Sequence, residues 1–225
     1  MEKFFDVLDT CPLFQRVGRE NYDKMLRCFG ARVVAVKKGT AVFREGQAAN
    51  KVGIVLTGAV QTVQDDYFGN RSILSMAGPG QLFAEGFACA GVETIPVSVV
   101  ASADSDVMLI DCSHIMTICH NVCGFHNQMI RNLLHSVAKS NLLLNQKIEI
   151  LSKRTTREKV MTYLLSEAKI QGSEEFTIPY DRQELADYLG VERSAMSTEL
   201  GKLRKAGFLE CKGSYFRLSA QLEHA

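Results

Sequence analysis

The sequence predicts an α+β chain in which a jelly roll (double-stranded β-helix) is followed by one long helix and then by a small domain of two helices and a β-hairpin. Three observations predict this order. Short apolar runs alternate with glycine, asparagine and aspartate turns between residues 32 and 110. Apolar residues then recur at helical spacing from about 114 to 151. Two shorter helical patterns and two short strands follow between 181 and 218.

Composition bounds the class of protein. The 225 residues are 46% hydrophobic, enough for one large domain or two modest ones, and the formal net charge is +1. Any affinity for a nucleic acid must therefore come from a local patch of charge. The seven cysteines are irregularly spaced, and the chain shows neither a charged-then-apolar leader nor an apolar run long enough to span a bilayer. We therefore expect a reduced, soluble, cytoplasmic protein without disulfides or membrane contact.

The first 110 residues predict helices followed by many strands. The opening segment, to about residue 29, has the amphipathic pattern of helices. Its candidates for burial are Phe4, Phe5, Val7, Leu8, Tyr22, Met25 and Leu26. The predicted strands are 32–36, 40–43, 52–56, 59–63, 73–76, 97–101 and 107–110.

The long helix, from about 114 with a break near Gly124, carries the spacing of a coiled-coil seam. The seam residues are Ile130, Leu134, Val137, Asn141, Leu144, Ile148 and Leu151. An asparagine at such a core position typically fixes register and a two-stranded state, so the seam predicts a homodimer. The alternative is that the stripe packs against the β domain of the same chain. We expect that packing of the neighbouring face, formed by Met129, Leu133, Leu143 and Ile150.

Residues 181–190 predict a helix that ends in a sterically defined turn. Asp181 is a good N-cap, with Glu184 three residues later as its capping-box partner. Gly190 permits the left-handed conformation of a tight turn, and Ala186 is small enough for two helices to cross closely. The residues predicted to be buried are Leu185, Ala186 and Leu189.

The helix predicted at 193–205 buries Met196, Leu200 and Leu203. Its outward residues at the N-terminal half, the end that enters a major groove in helix-turn-helix proteins, are Arg193, Ser194, Ser197 and Thr198. Strands at 208–211 and 215–218 around a glycine turn add a wing. These patterns predict a winged helix-turn-helix that binds double-stranded DNA. The alternative is a helical hairpin and β-hairpin packed for stability alone.

Three glycine-punctuated segments of the β region, 39–46, 54–60 and 80–85, add to this pattern. Together with the helix-turn-helix, they make the whole chain resemble the catabolite activator and fumarate-nitrate regulator family, written CRP/FNR. The resemblance implies a homodimeric transcription regulator with a sensor domain at 1–124, a dimerisation helix at 125–151 and a DNA-binding domain at 152–225. It also implies a pseudo-palindromic operator with half-sites about one helical turn apart, and RNA polymerase as a further partner.

The residues expected to contact DNA are Arg182, Gln183, Arg193, Ser194, Ser197, Thr198, Lys202 and Lys212. By resemblance, those between 193 and 198 lie at or beside base-reading positions, whereas Arg182, Gln183 and Lys212 match positions that touch the backbone. Arg193 can pair bidentately with a guanine, which is worth ~1–3 kcal/mol of discrimination. Thr198 stands where many relatives have a second arginine, so a relative's operator sequence does not transfer.

The effector site departs from the family pattern more strongly. Relatives that bind cyclic nucleotides pair a glutamate, matched here by Glu85, with an arginine and a small hydroxyl residue about ten positions later. Those two positions are Ile95 and Pro96, and no lysine or arginine occurs between Ser72 and Ile130. A buried cyclic phosphate without a cation is costly, so we expect an effector other than cyclic AMP or cyclic GMP, of unknown identity. Arg71 or Arg131 would have to reach the site through folding.

The remaining effector candidates are apolar residues with a few polar groups, as in small-ligand sites. They are Phe83, Glu85, Phe87, Ile95 and Val97 from the β region, with Leu144 and Asn145 where the family's long helix meets its ligand. The alternative is that these residues are simply core, with Glu85 capping backbone amides.

Three other functions remain open. A redox or metal sensor would use the crowded group Cys112, His114, Cys119, His120, Cys123 and His126, but its spacing matches zinc sites poorly, and only Cys11 and Cys28 lie near the N-terminus for an iron–sulfur cluster. An enzyme of the cupin type would need histidine ligands, and residues 32–110 contain no histidine. An interaction module with a relic helix-turn-helix is the third, and the intact Arg193 argues against it.

Overall fold

The computed structural model describes residues 1–117 and 124–219, which form two units. The first comprises Met1–Gln64 and Leu74–Leu142, and the second comprises Asp65–Ile73 and the chain from Leu143 onward. The family-based division at residues 124 and 151 stays a prediction. Across the described residues, no helix is both long and apolar enough to cross a bilayer.

The N-terminal segment folds as two helices, α1 (Phe5–Thr10) and α2 (Tyr22–Cys28), joined by short 3-10 turns. The ring of Tyr22 holds them together, because the rings of Phe5 and Phe14 meet it edge-on at 5.3 and 5.0 Å. Its hydroxyl donates a hydrogen bond to Asp9 (2.9 Å). Leu8 is fully buried in the same core. The helical prediction for this segment is confirmed.

A β-roll of two antiparallel four-stranded sheets follows. Its strands are β1 (Arg32–Val36), β2 (Ala41–Phe43), β3 (Lys51–Thr57), β4 (Val60–Asp65), β5 (Arg71–Ala77), β6 (Leu82–Phe83), β7 (Ser98–Ala101) and β8 (Ser105–Asp111). One sheet has the order β1-β8-β3-β6 and the other β2-β7-β4-β5. All seven strands predicted from the apolar runs are present. The short β6 and the helix α3 (Glu85–Ala90) after it were not predicted.

The passage from β6 to α3 depends on two tight backbone features. Gly53 of β3 lies under the ring of Phe83, where an added Cβ would stand 2.0 Å from a ring carbon. Ala84 then adopts a left-handed conformation with φ 61°, which is uncommon for a residue with a side chain. Together they place Glu85 at the start of a short helix instead of along a strand.

The long helix begins after residues 118–123, which fall outside the described residues. A short helix α4 (Cys112–Met116) precedes them, and α5 (Gly124–Ser152) follows them. Asn132 anchors the first half of α5, because its buried amide donates to the carbonyl oxygens of Leu13 (2.8 Å) and Gln15 (2.7 Å). Met129 and Leu133 pack in the same core, as predicted.

The prediction that Leu143 packs against the β domain is wrong, because Leu143 is 49% exposed. Leu143 lies beyond the part of α5 that belongs to the first unit, which ends at Leu142. Ile150, from the same predicted face, is buried, and it lies in the second unit.

The described part of the second unit, to residue 219, contains three further helices and a small sheet. The helices are α6 (Thr156–Gln171), α7 (Arg182–Leu189) and α8 (Arg193–Lys205), and the strands are β9 (Glu175–Thr177), β10 (Leu209–Lys212) and β11 (Tyr215–Leu218). The antiparallel sheet has the order β10-β11-β9, so the predicted hairpin gains a third strand. Thr155 caps α6 in a capping box with Glu158.

Candidate nucleic-acid interface and effector residues

The turn between α7 and α8 has the predicted geometry. Asp181 accepts a hydrogen bond from the amide of Glu184, and the Glu184 carboxylate accepts one from the amide of Asp181, both at 2.8 Å. Gly190 ends α7 in the left-handed conformation with φ 59°. Leu185, Ala186 and Leu189 are fully buried. Local capping and packing therefore fix the angle at which α8 leaves α7.

Helix α8 buries one face and exposes the other. Met196, Leu200 and Leu203 are buried, as predicted. The opposite side presents Arg193, Ser194, Ser197 and Thr198 to solvent. The Thr198 hydroxyl donates to the carbonyl oxygen of Ser194 (2.9 Å), so its hydrogen is already used. The methyl group of Thr198 can still contact a thymine methyl.

Positive charge gathers in the last turn of α8. Lys202, Arg204 and Lys205 are all exposed there, although Lys202 is ion-paired with Glu199 at 2.6 Å. Cations at a helix C-terminus also stabilise the helix dipole, so this cluster alone does not require a nucleic acid. The exposed Arg193 at the other end of the helix has no such structural explanation.

The three residues predicted to contact the DNA backbone differ in exposure and in partners. Lys212 is exposed at the end of β10, beside the wing turn. Gln183 is exposed and donates to Asp187 (2.8 Å). Arg182 is half-buried, with its guanidinium 5.1 Å from the centre of the Phe216 ring. One of its terminal nitrogens is buried without a hydrogen-bond partner among the described residues. Arg182 therefore packs on the wing, and its contact with phosphate stays a prediction.

A buried lysine supports the same unit and was not predicted. Lys147 of α5 is 7% exposed, donates to the carbonyl oxygen of Ile73 and lies 4.1 Å from the centre of the Tyr188 ring of α7. Burial lowers the pKa of its ammonium to about 8. Lys147 thus ties β5, α5 and α7 together inside the second unit. A single lysine within a helical pattern gives no sequence signal for such burial.

Tyr188 belongs to a cluster of three tyrosines. The ring of Tyr188 stacks on that of Tyr180 at 4.8 Å and lies 5.5 Å from that of Tyr163. Burial raises the pKa of Tyr188 to about 12. Burial also raises the pKa values of Tyr163 and Tyr180. The cluster joins α6 to α7 through aromatic packing.

Most of the predicted effector residues of the β-roll are deeply packed. Phe83, Ile95 and Val97 are at most 4% exposed and belong to one apolar core, while Phe87 packs against it half-buried. The Phe83 ring lies 5.8 Å from that of Phe43. This packing favours the alternative that these residues serve the fold.

Glu85 has a partner that the sequence did not reveal. Glu85 is 8% exposed, and its carboxylate accepts a hydrogen bond from the hydroxyl of Ser140 on α5 (2.6 Å). The contact joins α3 to the long helix inside the first unit. Ser140 lies fifty-five residues from Glu85 in sequence, so no local pattern could pair them.

The other expected effector residues lie elsewhere. Leu144 and Asn145 are exposed on the part of α5 that belongs to the second unit. Arg71 pairs with Asp65 through two hydrogen bonds of 2.9 and 3.1 Å, which lower the pKa of that carboxyl. Arg131 is exposed on α5. The guanidinium of Arg71 is therefore already engaged, and Glu85 is bonded to a serine rather than to a cation.

The predicted metal or redox group is only partly described. Cys119, His120 and Cys123 fall outside the described residues. The ring of His126 is buried, 3.0 Å from the carbonyl oxygen of His114 and 5.0 Å from the Phe29 ring. Within 1–117 and 124–219, no three histidine, cysteine or acidic side chains gather as a metal would require. Burial raises the pKa of Cys11 to about 12, against a role as thiolate ligand.

The seam residues of α5 divide into two sets. Ile130 and Val137 are half-buried, whereas Leu134 and Ile148 are 66% and 64% exposed. Asn141, Leu144 and Leu151 are exposed as well. An apolar stripe of this length on one helix is the kind of surface that a partner covers.

Comparisons with known proteins agree with this architecture. The sequence model of the cyclic nucleotide-binding domain matches residues 33–121, and that of the Crp-like helix-turn-helix domain matches residues 158–220. The transcriptional activator protein FnrA of Stutzerimonas stutzeri is 24% identical over 81% of this chain and 75% of its own length.

Solved structures share the fold. FixK2 from Bradyrhizobium japonicum superposes with a TM-score of 0.69 at 24% identity, over 86% of this chain and 94% of its own. The c-di-GMP responsive global regulator CLP of Xanthomonas campestris superposes with a TM-score of 0.70 at 18% identity, over 88% of this chain and 99% of its own.

Proposed function

Since this chain belongs to the CRP/FNR family of DNA-binding transcription regulators, we propose that it acts as a homodimer that reads a pseudo-palindromic operator with α8. We further propose that its effector is neither cyclic AMP nor cyclic GMP. The observation that carries the first proposal is the polar, exposed N-terminal half of α8 above a buried apolar face.

Arg193 is the principal base-reading residue of the proposed complex. It is exposed at the first position of α8 and has the two parallel donors that match the acceptors of a guanine. Ser194, Ser197 and Thr198 complete the reading face, while Gln183 and Lys212 reach the phosphates. Lys202 adds positive charge at the far end of the helix, and its ion pair with Glu199 reduces that contribution.

The homodimer is proposed from the exposed stripe on α5. Leu134, Leu144, Ile148 and Leu151 are large apolar side chains that stay in water unless another chain covers them. Asn141 lies among them at the spacing of a coiled-coil core position, and such an asparagine favours a paired, in-register helix. Two copies would then present two α8 helices to half-sites ~34 Å apart.

The exclusion of cyclic nucleotides rests on charge. The β-roll has no lysine or arginine between Ser72 and Ile130, and Glu85 is bonded to Ser140. A cyclic phosphate placed there would lose its hydration without gaining a cation, at a cost of several kcal/mol. Arg71, the nearest cation before this stretch, is paired with Asp65.

We also propose that the regulator contacts RNA polymerase and activates transcription. The support is the similarity to FnrA, which is a transcriptional activator protein. A matched pair of reporter promoters, with the selected operator placed upstream of or across the polymerase site, separates activation from repression.

The test is selection of random and genomic DNA by the purified full-length protein, with and without cyclic AMP and cyclic GMP. We expect one palindromic site whose recovery and affinity do not change with either nucleotide. An operator that is recovered only with a cyclic nucleotide would overturn the effector proposal. Recovery of no site, with a protein that is folded and dimeric, would overturn DNA reading.

A further inference from the structure

Two cysteines that are far apart in sequence lie side by side in the first unit. Cys89 lies in the last turn of α3, Cys112 is the first residue of α4, and their Sγ atoms are 3.7 Å apart. Cys112 is 4% exposed, whereas Cys89 is half-buried. The crowded group predicted from sequence contained Cys112 but not Cys89, because twenty-three residues separate them.

The pair is reachable from solvent. An open pocket of about 280 Å³ is lined by both cysteines and by Asn50, Ala88, Glu93 and Met116, among others. A small peroxide fits within such a volume. Most of the residues that line the pocket are apolar or uncharged. An uncharged oxidant can enter it without the cost of burying a charge.

We propose that Cys89 and Cys112 are an oxidation-sensitive thiol pair that a hydroperoxide converts into a disulfide, and that this disulfide changes the affinity of the regulator for DNA. The second part of the proposal rests on the proposed function, and the first part stands without it.

The reaction needs only the two thiols and one peroxide. The thiolate of Cys89 attacks the peroxide, the O–O bond breaks, and Cys89 becomes a sulfenic acid while an alkoxide or hydroxide leaves and takes up a proton. The sulfur of Cys112 then attacks Sγ of Cys89, the S–O bond breaks, and water leaves with the proton of Cys112. Two electrons pass from the two sulfurs to the peroxide, which is reduced to an alcohol or to water.

Cys89 is the sulfur that reacts first. It is the more exposed of the two, and the hydrogen bond from the Cys112 thiol lowers the pKa of Cys89, while burial opposes this effect. The same hydrogen bond, together with burial, raises the pKa of Cys112. A thiolate is the reactive form, so the order of attack follows from this asymmetry. Cys112 is the resolving thiol.

The disulfide would pull on an element that contacts the long helix. Closing the Sγ atoms from 3.7 Å to the ~2.05 Å of a disulfide draws α3 toward α4. Helix α3 is only six residues long, and its first residue, Glu85, is hydrogen-bonded to Ser140 of α5. A shift of α3 therefore acts on this bond, and through it on the helix that carries the proposed dimer seam.

A purely structural pair is the competing interpretation, because buried cysteines often behave as small apolar side chains. Cys112 belongs to the core of the first unit, and Cys89 packs against it. Such a pair would resist oxidation, or would be oxidised without effect. The two interpretations differ in which cysteines are linked and in whether DNA affinity follows.

The test treats the reduced full-length protein with hydrogen peroxide, blocks the remaining thiols by alkylation and maps the linked peptides by mass spectrometry. We expect a linkage between Cys89 and Cys112 that dithiothreitol reverses. Cys89→Ser and Cys112→Ser should each abolish it, and Cys28→Ser, at an exposed cysteine, should leave it intact. Both thiols remaining free under conditions that oxidise Cys28, or a linkage of either to Cys119 or Cys123 instead, would overturn the pairing.

DNA affinity is measured on the same samples with the selected operator. Oxidation should change the affinity of the wild type at least threefold in a reversible manner, and should leave that of Cys89→Ser and Cys112→Ser unchanged. A disulfide formed with no change in affinity would overturn the regulatory part. A reduced wild type that selects no operator would instead overturn the proposed function, while the mapped linkage still decides the pairing.

Discussion

Helix α8 presents its predicted functional side chains to solvent, whereas the β-roll buries most of its own. Arg193, Ser194 and Ser197 are exposed on one helix face, while Phe83 and Ile95 are packed in an apolar core. A reading surface needs accessible polar groups on a rigid backbone, and three buried residues of the same helix supply the rigidity. An effector site needs free volume, which tight packing removes. Exposure therefore supports a functional surface on α8, whereas burial does not support an effector site in the β-roll.

Charge sharpens the contrast between the two regions. Helix α8 carries four cations against one internal glutamate, but the β-roll has no cation from Ser72 through the end of its last strand. The first region can attract a polyanion, whereas the stretch from Ser72 to the end of β8 offers a phosphate no cation. If this stretch lines the effector site, we expect a signal that is uncharged, cationic or covalent.

The largest effect is expected from the surface that would pair two reading helices. Ile148→Glu places like charges opposite each other across the proposed seam, so the dimer should dissociate and operator affinity should fall by ~100-fold or more as the two half-sites lose avidity. Sedimentation and operator binding measure the two effects. Gln146→Glu adds the same charge at an exposed position of α5 outside the seam and should change neither. An Ile148→Glu protein that remains dimeric would remove α5 as the interface.

The second effect concerns the buried lysine that supports the reading unit. The pKa of Lys147 is about 8 in the folded state, below its ordinary 10.5, so the unfolded chain binds more protons between these pH values. The contribution of Lys147 to the free energy of unfolding of the wild type should therefore become more favourable as pH rises from 8 to 10.5. Below pH 8 the desolvated charge carries its full cost, of up to about 3 kcal/mol, offset by its contacts with Ile73 and Tyr188.

Lys147→Met keeps the packing and removes the charge. Its stability relative to wild type should be highest near pH 7 and should decline toward pH 10, as urea unfolding at several pH values would show. Taking the difference between the two proteins cancels the titration of the neighbouring tyrosines. Lys139→Met, at an exposed lysine of the same helix, should show no such trend. A flat difference for Lys147→Met would mean that the lysine is solvated.

These tests bear on what the sequence alone could predict. The strands of the β-roll, the capping box of α7 and the turn at Gly190 follow from local patterns, because each depends on residues within four positions of one another. Lys147, the Glu85–Ser140 bond and the Cys89–Cys112 pair depend on contacts between distant segments. No periodicity marks such contacts, so they needed the folded chain.

The wrong prediction for Leu143 has a similar cause. Leu143 shares a helical face with Leu133, and the pattern predicted that both pack on the β domain. Only Leu133 is buried, whereas Leu143 is exposed and lies beyond Leu142, where the first unit ends. Periodicity shows which residues share a face but not how far the facing surface reaches.

The third effect concerns base reading itself. Arg193→Ala should weaken specific binding by ~1–3 kcal/mol and relax preference at one base pair per half-site, while the dimer stays intact. Arg204→Ala, at the other end of α8, should instead weaken binding equally across sequences and reduce the salt dependence by about one counterion. Competition titrations with single-base operator variants measure both. Equal losses on every sequence for Arg193→Ala would assign it to phosphate contact.

The smallest effect tests whether Glu85 serves the fold or a ligand. Ser140→Ala leaves a largely buried carboxylate without the hydroxyl that bonds it, so stability should fall by about 1 kcal/mol. Ser140→Thr keeps the hydroxyl and should lose less. Ser152→Ala, at an exposed serine of the same helix whose hydroxyl donates to the carbonyl oxygen of Glu149, is the control and should be nearly neutral. If Ser140→Ala lowers stability but leaves operator affinity unchanged, the Glu85 contact holds α3 to α5 and nothing more. A change in affinity in the reduced protein would instead show that the β-roll communicates with α8 through this bond, because the variant touches neither the seam nor the reading face.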